Sequence, residues 1–167
     1  MKIRAEQPAD IPAIQKVNNL AFGQSEESEL IDRLRENSPD LLSLVATQNG
    51  RIVGHILFSP VSLIDETSTI VGTGLGPLAV LPDFQNQVIG TTLVQEGIDR
   101  VKKLNSPFIV VLGHSRYYPR FGFQPASELG IRCDWDMPDE AFMILVLDEA
   151  EMGGVRGTAR YRPEFYE

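Results

Sequence analysis

The stretch Leu78-Ala79-Val80-Leu81-Pro82-Asp83-Phe84-Gln85-Asn86-Gln87-Val88-Ile89-Gly90-Thr91-Thr92-Leu93 constrains this chain more than any other. An apolar strand ends at Pro82, a polar turn follows, and a glycine-bearing segment enters a helix. In that helix Ile89, Leu93, Val94, Ile98, Val101 and Leu104 fall at helical spacing, so one face is buried. The first turn of a helix carries backbone N–H groups without intrahelical partners and the positive end of the helix dipole. It is therefore a ready-made cradle for phosphate. Here the converging amides belong to Gln85, Asn86, Gln87, Val88, Ile89, Gly90 and Thr91.

Around this unit the pattern predicts strands over 3–5, 41–47, 52–58, 69–80, 108–112 and 142–147. Asp10 is expected to cap a helix running to about Phe22, which Gly23 stops, and Ser25 to cap a second helix with Glu26, Glu27 and Glu29 in its first turn. Asn49-Gly50 is a type I′ hairpin signal, and Pro60 is expected to end the returning strand. Gly72, Gly74 and Gly76 alternate along the fourth strand and suggest a bulge or a close backbone approach. A short helix closing on Gly122 is expected after 113. The order of elements predicts an α+β fold, with a strand–loop–helix–strand unit set in a partly antiparallel sheet.

The 167 residues are read as one domain, 1–167, with no linker or repeat. A net charge of −8 disfavours nucleic acid or an anionic membrane as partner and is compatible with an amine-bearing acceptor. No apolar run reaches the length of a signal peptide or a membrane span, and the single Cys133 suits a reducing compartment, so a cytoplasmic protein is expected. His55, His114 and Cys133 lack paired metal-ligand spacing. The strand 108–112 followed by Gly113-His114-Ser115 looks like the entry to a hydrolase nucleophile elbow. Tyr117 stands where the closing glycine belongs, and both histidines precede Ser115 when that fold needs one after it.

A second motif, Tyr117-Tyr118-Pro119-Arg120-Phe121-Gly122-Phe123, lies about thirty residues after the first, separated by a helix and a strand. Together the two resemble the GNAT-type N-acetyltransferase superfamily: a Gln/Arg-x-x-Gly-x-Gly/Ala pyrophosphate loop matched by Gln85 and Gly90, and a Tyr-x-x-x-Gly-Phe segment. Within it, Tyr-Tyr-Pro-Arg-Phe-Gly-Phe and the Gly157–Phe165 tail are most similar to the YhbS-like branch. Val88 departs from the pattern, standing where the first glycine is expected.

The resemblance implies a mixed, mostly antiparallel six- to seven-stranded sheet with helices on both faces. It also implies acetyl-CoA as acyl donor, an amine as acceptor, no metal, and compatibility with a homodimer. Leu78, Ala79 and Val80 would pair with the pantetheine amides, Gln85 through Thr91 would hold the pyrophosphate, and Tyr118 would meet the thioester sulfur as acid for the leaving thiolate. Val88 is expected to turn toward the protein without a left-handed backbone. The bland alternatives are a simple strand-to-helix turn, packing roles for Tyr117, Tyr118 and His55, and dipole service by the glutamates. A non-catalytic acyl-CoA-binding module is the competing function.

Overall fold

The computed structural model describes residues 1–167. The fold is α+β: an open, mixed, mostly antiparallel sheet with four α-helices. The strands are β1 (Lys2–Ala5), β2 (Leu42–Gln48), β3 (Arg51–Ile64), β4 (Thr69–Val80), β5 (Phe108–Leu112), β6 (Gln124–Pro125), β7 (Ile131–Cys133), β8 (Phe142–Val146) and β9 (Gly157–Arg160). The helices are α1 (Ile11–Phe22), α2 (Glu26–Asn37), α3 (Ile89–Lys103) and α4 (Glu149–Met152). The main path is β1-β2-β3-β4-β5-β8-β6, with β9 paired to β3 and β7. Nine strands form where the sequence predicts six to seven, because β6, β7 and β9 have only two to four residues and carry no readable alternation.

The chain divides into two compact units, residues 1–58, 76–99 and 164–167 in the first and 59–75 and 100–163 in the second. In the first, β1 and β3 flank β2 in antiparallel register. Asn49 and Gly50 turn the β2–β3 hairpin with φ of 52° and 78°, the left-handed pair a type I′ turn requires. Successive β3 residues face opposite sides of the sheet. Gly54 faces α3, where an added Cβ would lie 3.0 Å from Ile89 and from Leu93. His55 faces α1 and meets Asn18. Helices therefore cover both faces of this unit. α1 buries Ile14 and Val17, and α2 buries Ile31 and Leu34, against which Phe165 of the C-terminal segment packs. Fully burying an aliphatic side chain of this size contributes about 1.5–3 kcal/mol.

In the second unit β5 is apolar throughout and nearly wholly buried. It runs parallel to β4 (Thr73–Leu75 opposite Ile109–Val111) and antiparallel to β8. The β4–β5 register runs as far as Leu75, with Gly74 inside it, and the next residue, Gly76, has a φ of 139°.

Three local expectations need correction. Pro60 does not end β3, which continues to Ile64. On that edge β3 pairs with β2 only as far as Phe58 and with β9 from Ser62 on, so Pro60 falls in a gap where no ladder donor is needed. Asp10 occupies the N-cap position of α1 as expected but makes no side-chain cap bond. Its carboxylate instead accepts from the Gln7 N–H and pairs with Arg4 at 2.7 Å. Ser25 makes no cap bond either, because its hydroxyl donates to Glu29. No helix is long and apolar enough to cross a membrane.

Candidate active site

The predicted phosphate-binding residues all lie in the first unit. β4 ends with Leu78, Ala79 and Val80. The Leu81 N–H then donates to the Val53 carbonyl of β3 at 2.9 Å, fixing the base of the loop. A 3-10 turn (Pro82–Phe84) follows, with the Arg51 guanidinium 5.7 Å from the Phe84 ring centroid. The Gln85 side-chain amide reaches back to the Val80 carbonyl at 3.0 Å. One of the strand-end acceptors expected to meet pantetheine thus already has one partner, with its second lone pair remaining.

Asn86 and Val88 both adopt left-handed backbones, φ 63° and 62°. Val88 accepts at its carbonyl from the Thr92 N–H (2.9 Å) and the Thr92 hydroxyl (2.8 Å), so it is the capping residue from which α3 begins. Ile89, Gly90 and Thr91 supply the first-turn amides. The Val88 side chain is 70% exposed, contrary to the expectation that it turns inward on an ordinary backbone. The cause is Ile89, which is 1% exposed and seated on Gly54. To swing from the 3-10 turn and bury Ile89, the chain reverses at 86 and 88, and that reversal sends Val88 outward.

Tyr118 lies in the second unit, at the start of a 3-10 helix (Tyr118–Phe121) that closes on Gly122 at φ 99°. Its ring rests on the backbone of Gly113, where a Cβ would come within 2.4 Å of Cε2. Tyr117 at 5.1 Å and Phe123 at 5.7 Å enclose it edge-on. Burial, with Tyr117 adding a smaller push, raises the Tyr118 phenol well above its ordinary value. The hydroxyl therefore stays protonated across any physiological pH and is a hydrogen-bond donor throughout. Arg120 stacks on Tyr117 at 4.5 Å and donates to the Tyr117 carbonyl. His114 is exposed.

His55 is fully buried and joins a polar string that the sequence does not reveal. Asn18 Nδ2 lies 3.3 Å from His55 Nδ1, Ser43 Oγ lies 2.8 Å from His55 Nε2, and the Ser43 hydroxyl donates to Glu6 at 2.6 Å. Arg35 grips the Glu6 carboxylate with two bonds of 2.8 Å. Burial alone would raise the Glu6 carboxyl, but hydrogen bonds from Arg35 and Ser43 outweigh it and hold the group below its ordinary range. The members are separated by 12 to 37 residues in sequence, so no local spacing marks them. The one usable signal is that Ser43 and His55 are polar residues within otherwise apolar strand runs.

The acetyltransferase (GNAT) family matches residues 11–123. The uncharacterised N-acetyltransferase YhbS of Escherichia coli K12 is 35% identical over 166 residues, covering 99% of this chain and 98% of that protein. The crystal structure of E. coli YhbS in complex with CoA superposes with a TM-score of 0.92 at 33% identity, covering 99% of this chain and 92% of that one. A GNAT family acetyltransferase from Brucella melitensis in complex with acetyl-CoA has a TM-score of 0.78 at 32% identity, with coverages of 98% and 97%.

Proposed function

The chain belongs to the GNAT acetyltransferase family and is an N-acetyltransferase, and from that premise we propose that it moves an acetyl group from acetyl-CoA to a primary amine by direct attack within a ternary complex. The observation that carries the donor assignment is the loop from Gln85 to Thr91. Its left-handed residues present the first turn of a fifteen-residue helix at the end of a strand, the arrangement that suits a pyrophosphate. The relatives that hold CoA and acetyl-CoA match this chain almost end to end.

In the proposed reaction the neutral amine attacks the thioester carbonyl. A C–N bond forms, the C–S bond breaks, CoA leaves as its thiolate, and the proton lost by the amine nitrogen passes through solvent, so that the products are the amide and the free thiol. The backbone of Leu78, Ala79 and Val80 orients the pantetheine arm, and Gln85, Asn86, Gln87, Val88, Ile89, Gly90 and Thr91 hold the pyrophosphate. Tyr118 donates a hydrogen bond to the developing thiolate. A thiol of ordinary pKa about 8.5 is already a fair leaving group, so a donor that remains a phenol suffices. His55 is not the base, because both its ring nitrogens are engaged in the buried string.

The test follows free CoA thiol with a thiol reagent across a panel of small amines, aminoglycosides, peptide N-termini and lysine peptides. Thiol release that needs both acetyl-CoA and one class of amine is the expected result. Tight acetyl-CoA binding with slow, acceptor-independent release would instead identify a non-catalytic acyl-CoA-binding module.

A further inference from the structure

We propose that His55 is a positioning residue for the phosphate loop: buried and hydrogen-bonded through both ring nitrogens, it fixes β3 against the start of α3, and acid weakens cofactor binding by breaking that hold. The inference rests on the donor-site reading above.

The hydrogen-bond pattern defines the histidine's state. Glu6 is a carboxylate and only accepts, so the Ser43 proton points to Glu6. The Ser43 oxygen must then accept from His55, which places the ring proton on Nε2. Nδ1 is left as an acceptor and takes one Asn18 amide N–H, while the other goes to the Ile14 carbonyl at 3.0 Å. The direction of donation thus runs without conflict from α1 through β3 and β2 to the Glu6–Arg35 pair.

Three successive β3 residues connect this string to the loop. The Val53 carbonyl holds the Leu81 N–H at the loop's base. Gly54 presents bare backbone on which Ile89 and Leu93, the first two inward residues of α3, rest. His55 anchors the same backbone from the opposite face. A shift of β3 at 53–55 therefore moves both supports of the amides that would bind pyrophosphate.

A second proton on His55 would set an Nδ1–H against the Asn18 N–H. Relief requires turning the Asn18 amide so that Oδ1, buried and without a partner, faces the ring, which takes the donor away from Ile14. The charged groups facing His55 are Glu6, which favours the cation, and Arg35 behind it, which opposes it; Asp32 pairs with Arg35 at 2.8 Å. Burial dominates and holds the histidine down to about 4. The folded chain thus binds fewer protons than the unfolded one between about 6.5 and 4. The contribution is complete above 6.5 and is lost as pH falls through that window, by up to about tenfold in the folding ratio per pH unit. Protons reach the string at its outer end, where Glu6, Arg35 and Ser43 line a surface pocket of about 380 Å³.

The experiment measures CoA affinity by calorimetry for wild type, Ser43→Ala, Ser43→Thr and His55→Gln at pH 7.5 and at steps down to about pH 4.5, with steady-state constants at pH 7.5. In parallel, ¹⁵N NMR of the histidine ring is recorded on wild type. Ser43→Ala removes the acceptor for Nε2–H and should weaken CoA binding by about fivefold, the low end of coupling between linked sites, with a smaller change in kcat. Ser43→Thr keeps the hydroxyl and should restore binding. The His55 ring should be the neutral Nε2–H tautomer from pH 8 to 5.5. His55→Gln, which cannot charge, should lose the part of the acid-side weakening that wild type shows beyond titration of the CoA phosphates. An Nδ1–H tautomer, a cation at pH 7, or a Ser43→Thr as impaired as Ser43→Ala would overturn the proposal. Unchanged CoA affinity in Ser43→Ala sinks this inference alone. Absence of CoA binding by wild type sinks the donor-site reading and this inference with it.

Discussion

Gly122 and Val88 both sit in the left-handed region, at φ 99° and 62°, each beside residues assigned to the chemistry. At Gly122 residue type and backbone agree. The 3-10 helix carrying Tyr118 ends on the residue that adopts this conformation most readily, and the nearest side chain, Leu145, would lie 3.2 Å from an added Cβ. At Val88 they conflict, because a β-branched residue at positive φ is strained. That conformation persists because its neighbours over-determine it. Ile89 is buried on Gly54, Thr92 bonds the Val88 carbonyl twice, and Gln85 ties the loop to Val80. The difference teaches how each of the two segments is held. Tyr118 is set by its own local segment, whereas the phosphate loop is set by what it packs against.

The largest effect that sharpens this contrast is expected at Tyr118. Tyr118→Phe keeps the ring that packs on Gly113 and removes only the donor, so kcat should fall by about 100-fold while acetyl-CoA affinity stays within about twofold. Since burial keeps the phenol protonated, the wild-type rate should show no tyrosine titration below pH 9. Full turnover in the variant, under conditions where chemistry limits the rate, would reduce Tyr118 to a packing residue.

Gly122→Val comes next and attempts to give the Tyr118 segment the strain that the loop tolerates. Gly122 is held by a local bond, its N–H donating to the Pro119 carbonyl at 3.0 Å, and an added side chain would press on Leu145, so this substitution should destabilise the chain by about 2 kcal/mol. Denaturant unfolding measures it directly. A loss under about 0.5 kcal/mol would show that the segment is clamped from outside after all, and the contrast would fail.

The same contrast explains what the sequence reveals and what it hides. Strands β4 and β5 are legible to the residue, since their apolar runs are bounded by Asp65–Ser68, Pro82, Pro107 and Gly113. Gly23, Gly50 and Gly122 stop or turn the chain where they are expected, as local chemistry demands. Features decided by distant neighbours are not legible. Pro60 is tolerated only because β9, a hundred residues later, leaves a gap beside it. The positive φ of Val88 follows from the seat that Gly54 offers Ile89, and the His55 string from a register that brings Ser43 diagonally beside it. Motif spacing identifies the residues of the loop and of the Tyr118 segment. It carries no information on the backbone state at Val88, which tertiary packing sets.

The smallest and most discriminating effect is expected at Val88 itself. Replacing it with glycine removes the steric penalty of a left-handed β-branched residue, about 1–2 kcal/mol, and adds back the larger backbone entropy of glycine in the unfolded chain, roughly 0.5–1 kcal/mol. The two nearly cancel, so Val88→Gly should raise stability by no more than about 1 kcal/mol. The Val88 side chain is mostly exposed and makes no core contact that glycine would forfeit. For the cofactor, removing the branched side chain lets a pyrophosphate approach the Val88 main chain more closely, while a looser loop costs some preorganisation. Affinity for acetyl-CoA should therefore tighten by at most about 1.4 kcal/mol, one decade. Thermal unfolding and titration calorimetry on both proteins separate the two effects. A Val88→Gly protein less stable than wild type by more than about 1 kcal/mol would mean that the loop is not left-handed at this position. Binding that appears only in the glycine variant would mean that valine closes the phosphate site, and the transferase reading of this chain would fall with it.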